Sequence, residues 1–180
     1  MLASAGNSDE GGGLMAEPNN GATQPPDVQA SVQGARELLI NAQYVKDLSF
    51  ESPRAPQSLL QQQQQPEVQL GIDVKAQTLA PNLYEVVLTV HAEAKSANER
   101  VFLIELVYGA VTTLTNVPQE EVPRALLVET PQLLFPFARA IFAEATRDGG
   151  FMPLMLRPID FAGLLRQQQQ AAQAQGTATA

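Results

Sequence analysis

The sequence predicts an α+β domain in which an antiparallel sheet comes first and helices follow it. Four segments between residues 38 and 114 alternate apolar and polar side chains with a period of two, which is typical of half-buried strands. From residue 119 onward the apolar residues recur at helical spacing instead. Two connections between strands are short and rich in turn residues, which favours antiparallel pairing. These patterns place the helices after the sheet.

The first alternating segment has one apolar face and one polar face. The residues that share the apolar face are Leu38, Ile40, Ala42, Tyr44, Leu48 and Phe50. The residues of the opposite face are Asn41, Gln43, Val45, Asp47, Ser49 and Glu51. Lys46 alone falls out of this pattern. We therefore expect the first set to point into the core and the second set to point away from it.

The second and third segments alternate in the same way, whereas the fourth is apolar on both faces. The core faces of the second and third strands comprise Val68, Leu70, Ile72, Val74 and Ala76, and Tyr84, Val86, Leu88, Val90 and Ala92. The fourth strand has its core face at Phe102, Ile104, Leu106 and Tyr108, and a second apolar set at Val101, Leu103, Val107 and Val111, interrupted by Glu105. Such a strand is either central in a covered sheet or exposed to a partner. The polar faces of its neighbours favour the partner.

The connections constrain which strands are neighbours. Residues 80–82 and 96–99 are short turn segments. Residues 52–66 form a longer connection that contains three prolines and five consecutive glutamines, Gln61–Gln65. This connection is too long for a tight hairpin, so the first and second strands need not pair with each other.

Three helical segments are predicted after the sheet. Residues 119–129 indicate a short helix, after which Thr130 and Pro131 provide an N-cap and a first-turn proline for a second helix. The apolar stripe of this second helix comprises Leu133, Leu134, Phe137, Ala138, Ile141, Phe142 and Ala145. The Asp-Gly-Gly sequence at residues 148–150 ends it. A final helix is expected to begin at an Asp160 cap.

Composition limits the domain organisation and the class of partner. The 180 residues allow one compact domain, which we place at residues 36–166, between an N-terminal extension (1–35) and a Gln/Ala-rich tail (167–180) that we expect to be disordered. The chain has no cysteine, which excludes disulfides and thiolate metal sites. The net charge of −8 argues against binding of nucleic acid through its phosphates. Neither a signal peptide nor an apolar run of membrane-spanning length is visible.

The residue patterns of enzymes are missing from the sequence. His91 is the single histidine, lies on the polar face of a strand, and has no nucleophile turn near it. Asp47 and Glu51 are roughly 13 Å apart along a strand, whereas glycosidase carboxylates lie about 5 to 9.5 Å apart. A docking surface or simple solvated acids are the remaining interpretations of this pair. We therefore expect a non-enzymatic protein without a metal or a cofactor.

Five motifs resemble the SecB family of protein-export chaperones. They are QYVKDLSFESP at residues 43–53, PEV at 66–68, YEVVL at 84–88, LLFPFAR at 133–139 and GGFMPLMLRPIDFAGLL at 149–165. The motifs occur in the order and spacing of the family, and they are distributed over residues 43–165. The chain departs from the family at Gln61–Gln65, where a more varied and often aromatic stretch is usual, and at Met152, where proline is commoner.

The resemblance implies a four-stranded antiparallel sheet backed by a long helix, a second helix near the C-terminus, and a homotetramer built as a dimer of dimers. It implies a cytoplasmic chaperone that binds unfolded secretory precursors, keeps them competent for translocation and delivers them to the SecA ATPase. A SecB-like chaperone that controls an antitoxin is the alternative. The implied partners are thus unfolded precursors, SecA and further copies of the chain, with neither nucleic acid nor membrane insertion.

The resemblance also implies two binding surfaces. In the family, SecA docks on an acidic sheet face, which corresponds here to Asp47, Glu51, Leu103 and Glu105. Client segments lie in an apolar groove whose walls correspond to residues 52–66 and 149–158. The groove residues of the second wall are Phe151, Met152, Leu154 and Met155. Methionine suits a surface that must fit many sequences, because its thioether is flexible and polarizable. One of Leu154 and Leu156 is expected to fill the core instead.

Overall fold

The structure is a computed structural model, and it describes residues 34–60, 66–96 and 99–177. Its elements are β1 (Glu37–Glu51), α1 (Gln57–Leu60), β2 (Glu67–Ala80), β3 (Leu83–Ser96), β4 (Glu99–Thr115), α2 (Val122–Arg124), a π-turn (Ala125–Glu129), α3 (Thr130–Asp148) and α4 (Phe161–Thr177). Apart from the short α1, the strands come first and the helices follow. The predicted α+β class is confirmed.

The four strands form one antiparallel sheet in the order β1-β4-β3-β2. β1 and β2 lie at opposite edges, in agreement with the expectation that they need not pair with each other. The helices pack on one face of the sheet, called the inner face here, where Leu88, Ile104 and Leu106 of the central strands are fully buried. Phe142 of α3 and Phe161 of α4 complete this core. The opposite face is called the outer face.

Two bulges in β1 change which of its side chains face the core. The pairing with β4 shifts at Asn41 and again at Lys46. Each bulge inserts one residue and so reverses the alternation of side chains. Ala42 and Tyr44, which lie between the bulges, therefore belong to the outer face, and the prediction that they face the core is wrong. The second bulge restores the alternation, so Phe50 lies on the inner face as predicted.

The two helices predicted on either side of Thr130 form one continuous helical stretch. The hydroxyl of Thr130 donates a hydrogen bond to the carbonyl oxygen of Ala125 at 2.9 Å, and its N–H donates to the same oxygen. The prediction of an N-cap at Thr130 is therefore wrong. Pro131 has no N–H to donate to the helix. In a regular α-helix its ring would also clash with the carbonyl group four residues earlier. The wider π-turn relieves this conflict, because its hydrogen bonds reach back five residues.

Two side chains anchor the connection between α3 and α4. The hydroxyl of Thr146 donates to the carbonyl oxygen of Phe142 at 3.0 Å and accepts the N–H of Leu154 at 2.9 Å. Asp160 accepts the N–H of Gly163 at 2.9 Å, which confirms the predicted cap of α4. Both ends of the connection are thereby fixed to helices.

Two features of the helices differ from the sequence predictions. α4 continues to Thr177 through most of the tail that is predicted to be disordered, because Gln and Ala are good helix formers despite the low complexity. The helical stretch Val122–Asp148 is 27 residues long and, by length and composition alone, apolar enough to cross a membrane. Half of its most apolar part is buried inside the fold, as in the core helix of a soluble protein. The predicted extension lies outside the described residues, except for residues 34 and 35.

Candidate binding surfaces

The structure brings the four predicted docking residues together on the outer face. Glu51 of β1 lies opposite Leu103 of β4, and Ser49 lies opposite Glu105. Asp47 occupies the next outward position along β1. Because opposite residues on neighbouring strands are only about 5 Å apart, Glu105 lies beside the stretch of β1 that joins the other two carboxylates. We call Asp47, Glu51, Leu103 and Glu105 the outer acidic surface.

The outer acidic surface presents its carboxylates to solvent. Asp47, Glu51 and Glu105 are exposed, whereas Leu103 is half-buried. Within the parts of the chain that the structure describes, these three carboxylates take part in none of the ion pairs. The surface therefore combines unneutralised negative charge with one apolar side chain. This combination suits a partner that is basic and partly apolar.

A polar cluster that the sequence patterns did not reveal lies farther along the outer face. The side chain of Glu85 on β3 is only 8% exposed. It accepts hydrogen bonds from the Lys46 ammonium at 2.8 Å, the Tyr44 hydroxyl and the side-chain amide of Gln77. The hydrogen bonds from Lys46 and then Tyr44 hold the pKa of Glu85 below its ordinary value. We call these four residues the Glu85 cluster.

The Glu85 cluster spans the sheet because its donors come from both edge strands. Tyr44 reaches β3 by lying across β4 at Gly109, where a Cβ would come within 2.7 Å of the tyrosine ring. The sequence does contain two signals of this cluster, namely a glutamate inside the apolar run YEVVL and the lysine out of pattern in β1. Alternation alone does not connect them, because it assumes an uninterrupted strand.

Tyr44 should titrate later than an ordinary tyrosine. Burial, followed by the hydrogen bond to Glu85 and its negative charge, raises the pKa of Tyr44 from 10.0 to about 12. Because the folded-state pKa lies above the unfolded one, the stabilisation is fully present below about pH 10 and is lost as the pH rises towards 12. Phenolate absorbance during alkaline titration measures this directly. We expect Tyr44→Phe to remove the late step, and a late step that persists in this variant would contradict the assignment.

The second predicted surface is the connection between α3 and α4. Phe151 packs against Phe50 of β1 and Phe102 of β4, with ring centroids 6.2 and 4.9 Å away. The backbone of Gly149 lies directly against the Phe50 ring, which leaves no room for a side chain at this position. Phe151 is half-buried as a result. Only part of its ring is open to a partner.

The two methionines are the most exposed apolar side chains of this connection. Met152 is 76% exposed and Met155 is 59% exposed. Leu154 is half-buried, and Leu156 is buried. Leu156 is therefore the leucine that fills the core, as expected for one member of the pair.

The short helix α1 adjoins the same connection. A Cβ at Gly150 would lie 3.1 Å from the side chain of Leu59, so the two predicted walls of the groove meet at this point. Leu60, the last residue of α1, is 82% exposed. The run Gln61–Gln65, which follows it, lies outside the described residues. We call the exposed side chains of Leu60, Met152 and Met155 the apolar rim.

A third exposed apolar set lies on α3. Leu133 and Phe137 are one turn apart and are 50% and 52% exposed. Leu134 and Ala138, on the side that faces the sheet, are fully buried. α3 is therefore apolar on a face that the sheet does not cover. We call Leu133 and Phe137 the α3 stripe.

His91 belongs to the surroundings of the outer acidic surface. It is exposed and lies opposite Glu105 on β4, with its ring over Gly71 of β2. Residues 34–60, 66–96 and 99–177 contain no group of three or more His, Cys, Asp or Glu side chains that could hold a metal ion.

Apolar side chains exposed in loops, together with an open acidic sheet face, define a protein that binds other polypeptides. The sequence profile of the SecB family, described as preprotein translocase subunit SecB, matches residues 31–172. A protein-export protein SecB of Rhodopseudomonas palustris (strain BisB5) is 51% identical over 157 residues, or 87% of this chain and 97% of that protein. A protein of the same name from Bradyrhizobium sp. is 53% identical over 141 residues, or 78% and 87%. The chain belongs to the SecB family.

A solved structure supports the fold independently. A SecB-like chaperone of Mycobacterium tuberculosis, in complex with a ChAD peptide from the HigA1 antitoxin, superposes with a TM-score of 0.58. The match covers 68% of this chain and 90% of the other at 15% sequence identity. At this identity the likeness concerns the fold alone, and the antitoxin peptide is a ligand of that protein.

Proposed function

We propose that the chain is a chaperone of protein export that binds unfolded secretory precursors in the cytoplasm and delivers them to the SecA ATPase. The observation that carries the proposal is the apolar rim, where Leu60, Met152 and Met155 are exposed to solvent near the half-buried ring of Phe151. Exposed apolar side chains that lie together mark a partner surface. Membership of the SecB family supports the same function.

The apolar rim selects the unfolded state of its clients. Unfolded precursors expose apolar segments that a folded protein buries, and a protein that binds only the unfolded state shifts the equilibrium towards it. Each large apolar side chain buried against a client contributes about 1.5–3 kcal/mol before the ordering costs are subtracted. Methionine fits many client sequences, because its unbranched thioether adapts its shape. No covalent chemistry is required of the chain.

The outer acidic surface is the proposed docking site for SecA. Its three exposed carboxylates would attract a basic segment of SecA, while Leu103 would provide apolar contact. The surface and the apolar rim belong to different parts of the fold, namely the outer face of the sheet and the loops at its end. A client and SecA are therefore able to bind the same chain without competing for side chains.

We further propose a homotetramer, a dimer of dimers of about 78 kDa formed by four chains of 19.4 kDa. The α3 stripe supports this proposal, because Leu133 and Phe137 are apolar and about half exposed on the isolated chain. A symmetric partner helix would bury them.

A pull-down from cytosol followed by mass spectrometry tests the proposed function as a whole. We expect SecA and unprocessed precursors of exported proteins to co-elute with the chain. Co-elution of an antitoxin without SecA would favour the alternative function, and the absence of both kinds of protein would contradict chaperone activity in export.

Glu105→Lys should weaken SecA binding and leave client binding largely intact. The substitution reverses a charge at the centre of the outer acidic surface, on a side chain that is exposed and therefore not needed for the fold. We expect the affinity for SecA at moderate salt to fall by about tenfold or more, since each factor of ten corresponds to about 1.4 kcal/mol. Titration of fluorescent chain with SecA measures it.

Lys75→Glu, at an exposed position of β2 on the same face, is the control for a local change of charge. It changes the electrostatic potential at the β2 edge of the sheet, away from the outer acidic surface. The affinity for SecA should therefore stay within a factor of about two of the wild-type value, the size of an ordinary surface effect. Wild-type affinity of the Glu105→Lys variant would show that SecA docks elsewhere.

A further inference from the structure

The bulges of β1 determine where its carboxylates lie relative to β4. From Leu38 to Glu51, β1 advances 13 residues, while β4 advances 11 residues between their partners, Leu114 and Leu103. The bulges at Asn41 and Lys46 take up the two extra residues of β1. If both bulges were lost, one end of β1 would slide along β4 by two residues, or about 7 Å.

The Glu85 cluster forms hydrogen bonds with β1 at these bulges. Lys46 is itself the residue of the second bulge, and Tyr44 lies in the inverted segment between the two bulges. Both side chains donate hydrogen bonds to the same oxygen, Oε1 of Glu85, while Gln77 of β2 donates to the other oxygen. A buried carboxylate with charged and neutral donors forms strong hydrogen bonds, and it is costly to leave one unpaired.

The hydrogen bond from Tyr44 to Glu85 depends on how closely the Tyr44 ring lies on the sheet. Gly109 of β4 is the position that its ring crosses, and a side chain there would displace the ring. In an unbulged β1 the alternation would turn Tyr44 to the inner face, away from Glu85. The hydrogen bonds of the cluster and the bulged register therefore require each other.

We propose that Glu85 is a positioning residue of the outer acidic surface, because it holds the bulged register that places Asp47 and Glu51 beside Glu105. The inference rests on the proposed docking of SecA, and it names a residue that does not itself contact the partner. Glu85 acts through Lys46 and Tyr44 on the strand that carries the docking carboxylates. Phe50, which precedes Glu51 on β1, packs on Phe151 at a centroid distance of 6.2 Å, so a displaced β1 would also disturb one edge of the client surface.

The test is Glu85→Gln in the full chain, with SecA affinity as the readout. We expect a loss of about tenfold, the order expected when hydrogen bonds to a charged group that order a strand are removed. Glu37→Gln is the matched control, because Glu37 is an exposed glutamate on the outer face of the same sheet, at the start of β1. It removes the same charge without touching the bulges.

Two further variants disrupt the hydrogen bond between Tyr44 and Glu85 without changing the charge of the chain. Tyr44→Phe keeps the ring over Gly109 but loses the hydroxyl, and Gly109→Ala forces the ring to move. We expect both to weaken SecA binding in the same direction as Glu85→Gln. In a double-mutant cycle, Glu85→Gln and Glu51→Gln should be non-additive, since the first acts through the second. A general loss of stability would give additive effects instead.

The outcomes separate this inference from the proposed docking site. Equal losses in Glu85→Gln and Glu37→Gln, or wild-type SecA affinity in Tyr44→Phe, overturn the positioning role. Wild-type affinity of Glu105→Lys overturns the docking site itself. In that event the positioning role is decided by NMR, from the cross-strand contacts between Glu51 and Leu103. The role stands if Glu85→Gln shifts these contacts along β4 and fails if they remain unchanged.

Discussion

Replacing Met152 and Met155 together with serine should weaken client binding by about a hundredfold. Both side chains are more than half exposed, so their removal costs the folded chain little. Each large apolar side chain that is buried on binding contributes about 1.5–3 kcal/mol, of which ordering costs consume a part. Two such losses leave a deficit near 3 kcal/mol, or about two factors of ten. Titration of a fluorescent unfolded precursor with each variant measures it.

The matched control replaces two equally apolar residues at the other end of the sheet. Leu39 and Leu79 are each about half exposed, and neither lies near the connection between α3 and α4. The double change to serine there should leave client affinity unchanged, and SecA affinity should be unchanged in the methionine variant. Client affinity that falls equally in both double variants would mean that exposed apolar area in general, rather than the apolar rim, binds clients.

The structure explains why the methionines make a cleaner test than Phe151. The sequence places Phe151 in a loop between glycines and a proline, where a large apolar side chain is expected to face a partner. In the fold its ring packs on Phe102 at a centroid distance of 4.9 Å. Replacing it would lower the free energy of unfolding as well as any client affinity, and the two effects would be confounded. The involvement of Phe151 and Leu154 in client binding stays a prediction.

Alternation predicts the correct face for the residues of the outer acidic surface on β1, because the two bulges before them each reverse the alternation and together restore it. Alternation assumes one residue per step, and each bulge in β1 breaks that assumption once. Asp47 and Glu51 follow both bulges and so lie on the predicted face, whereas Ala42 and Tyr44 lie between them and do not. The lysine out of pattern at position 46 marks the second bulge. Only the pairing of β1 with β4 shows that Lys46 occupies a bulge.

In the helical region, a local sequence signal for the start of a helix at Thr130 is overridden by the packing of the residues before it. Threonine followed by proline is a good start signal for a helix. Here the preceding helical residues already continue into α3, and the π-turn accommodates Pro131 without an interruption. Tertiary packing decides this case, because Ala125, Leu126 and Val128 of the π-turn are buried in the core. The Asp160 cap, which has no such competition, is confirmed.

Replacing Leu133 and Phe137 together with glutamate should dissociate the proposed tetramer. On the isolated chain these side chains are about half exposed, so the substitutions leave the core of the monomer intact. In an assembled interface the change removes two apolar contacts and buries two charges without partners, and each unpaired charge costs several kcal/mol. We expect light scattering at micromolar concentration to show a particle well below the proposed 78 kDa, four chains of 19.4 kDa.

The control for this variant is Gln132→Glu, which adds a negative charge at an exposed neighbouring position of α3 and removes no apolar side chain. It should retain the mass of the tetramer, because a charge outside the apolar contact stays solvated. Circular dichroism should show the same helix content in both variants, which separates dissociation from unfolding. A wild-type particle in the double variant would show that the α3 stripe is not the contact, and a wild-type chain that is already monomeric at this concentration would contradict the tetramer altogether. Since both side chains lie on the face of α3 that the sheet leaves uncovered, we expect dissociation with the fold preserved.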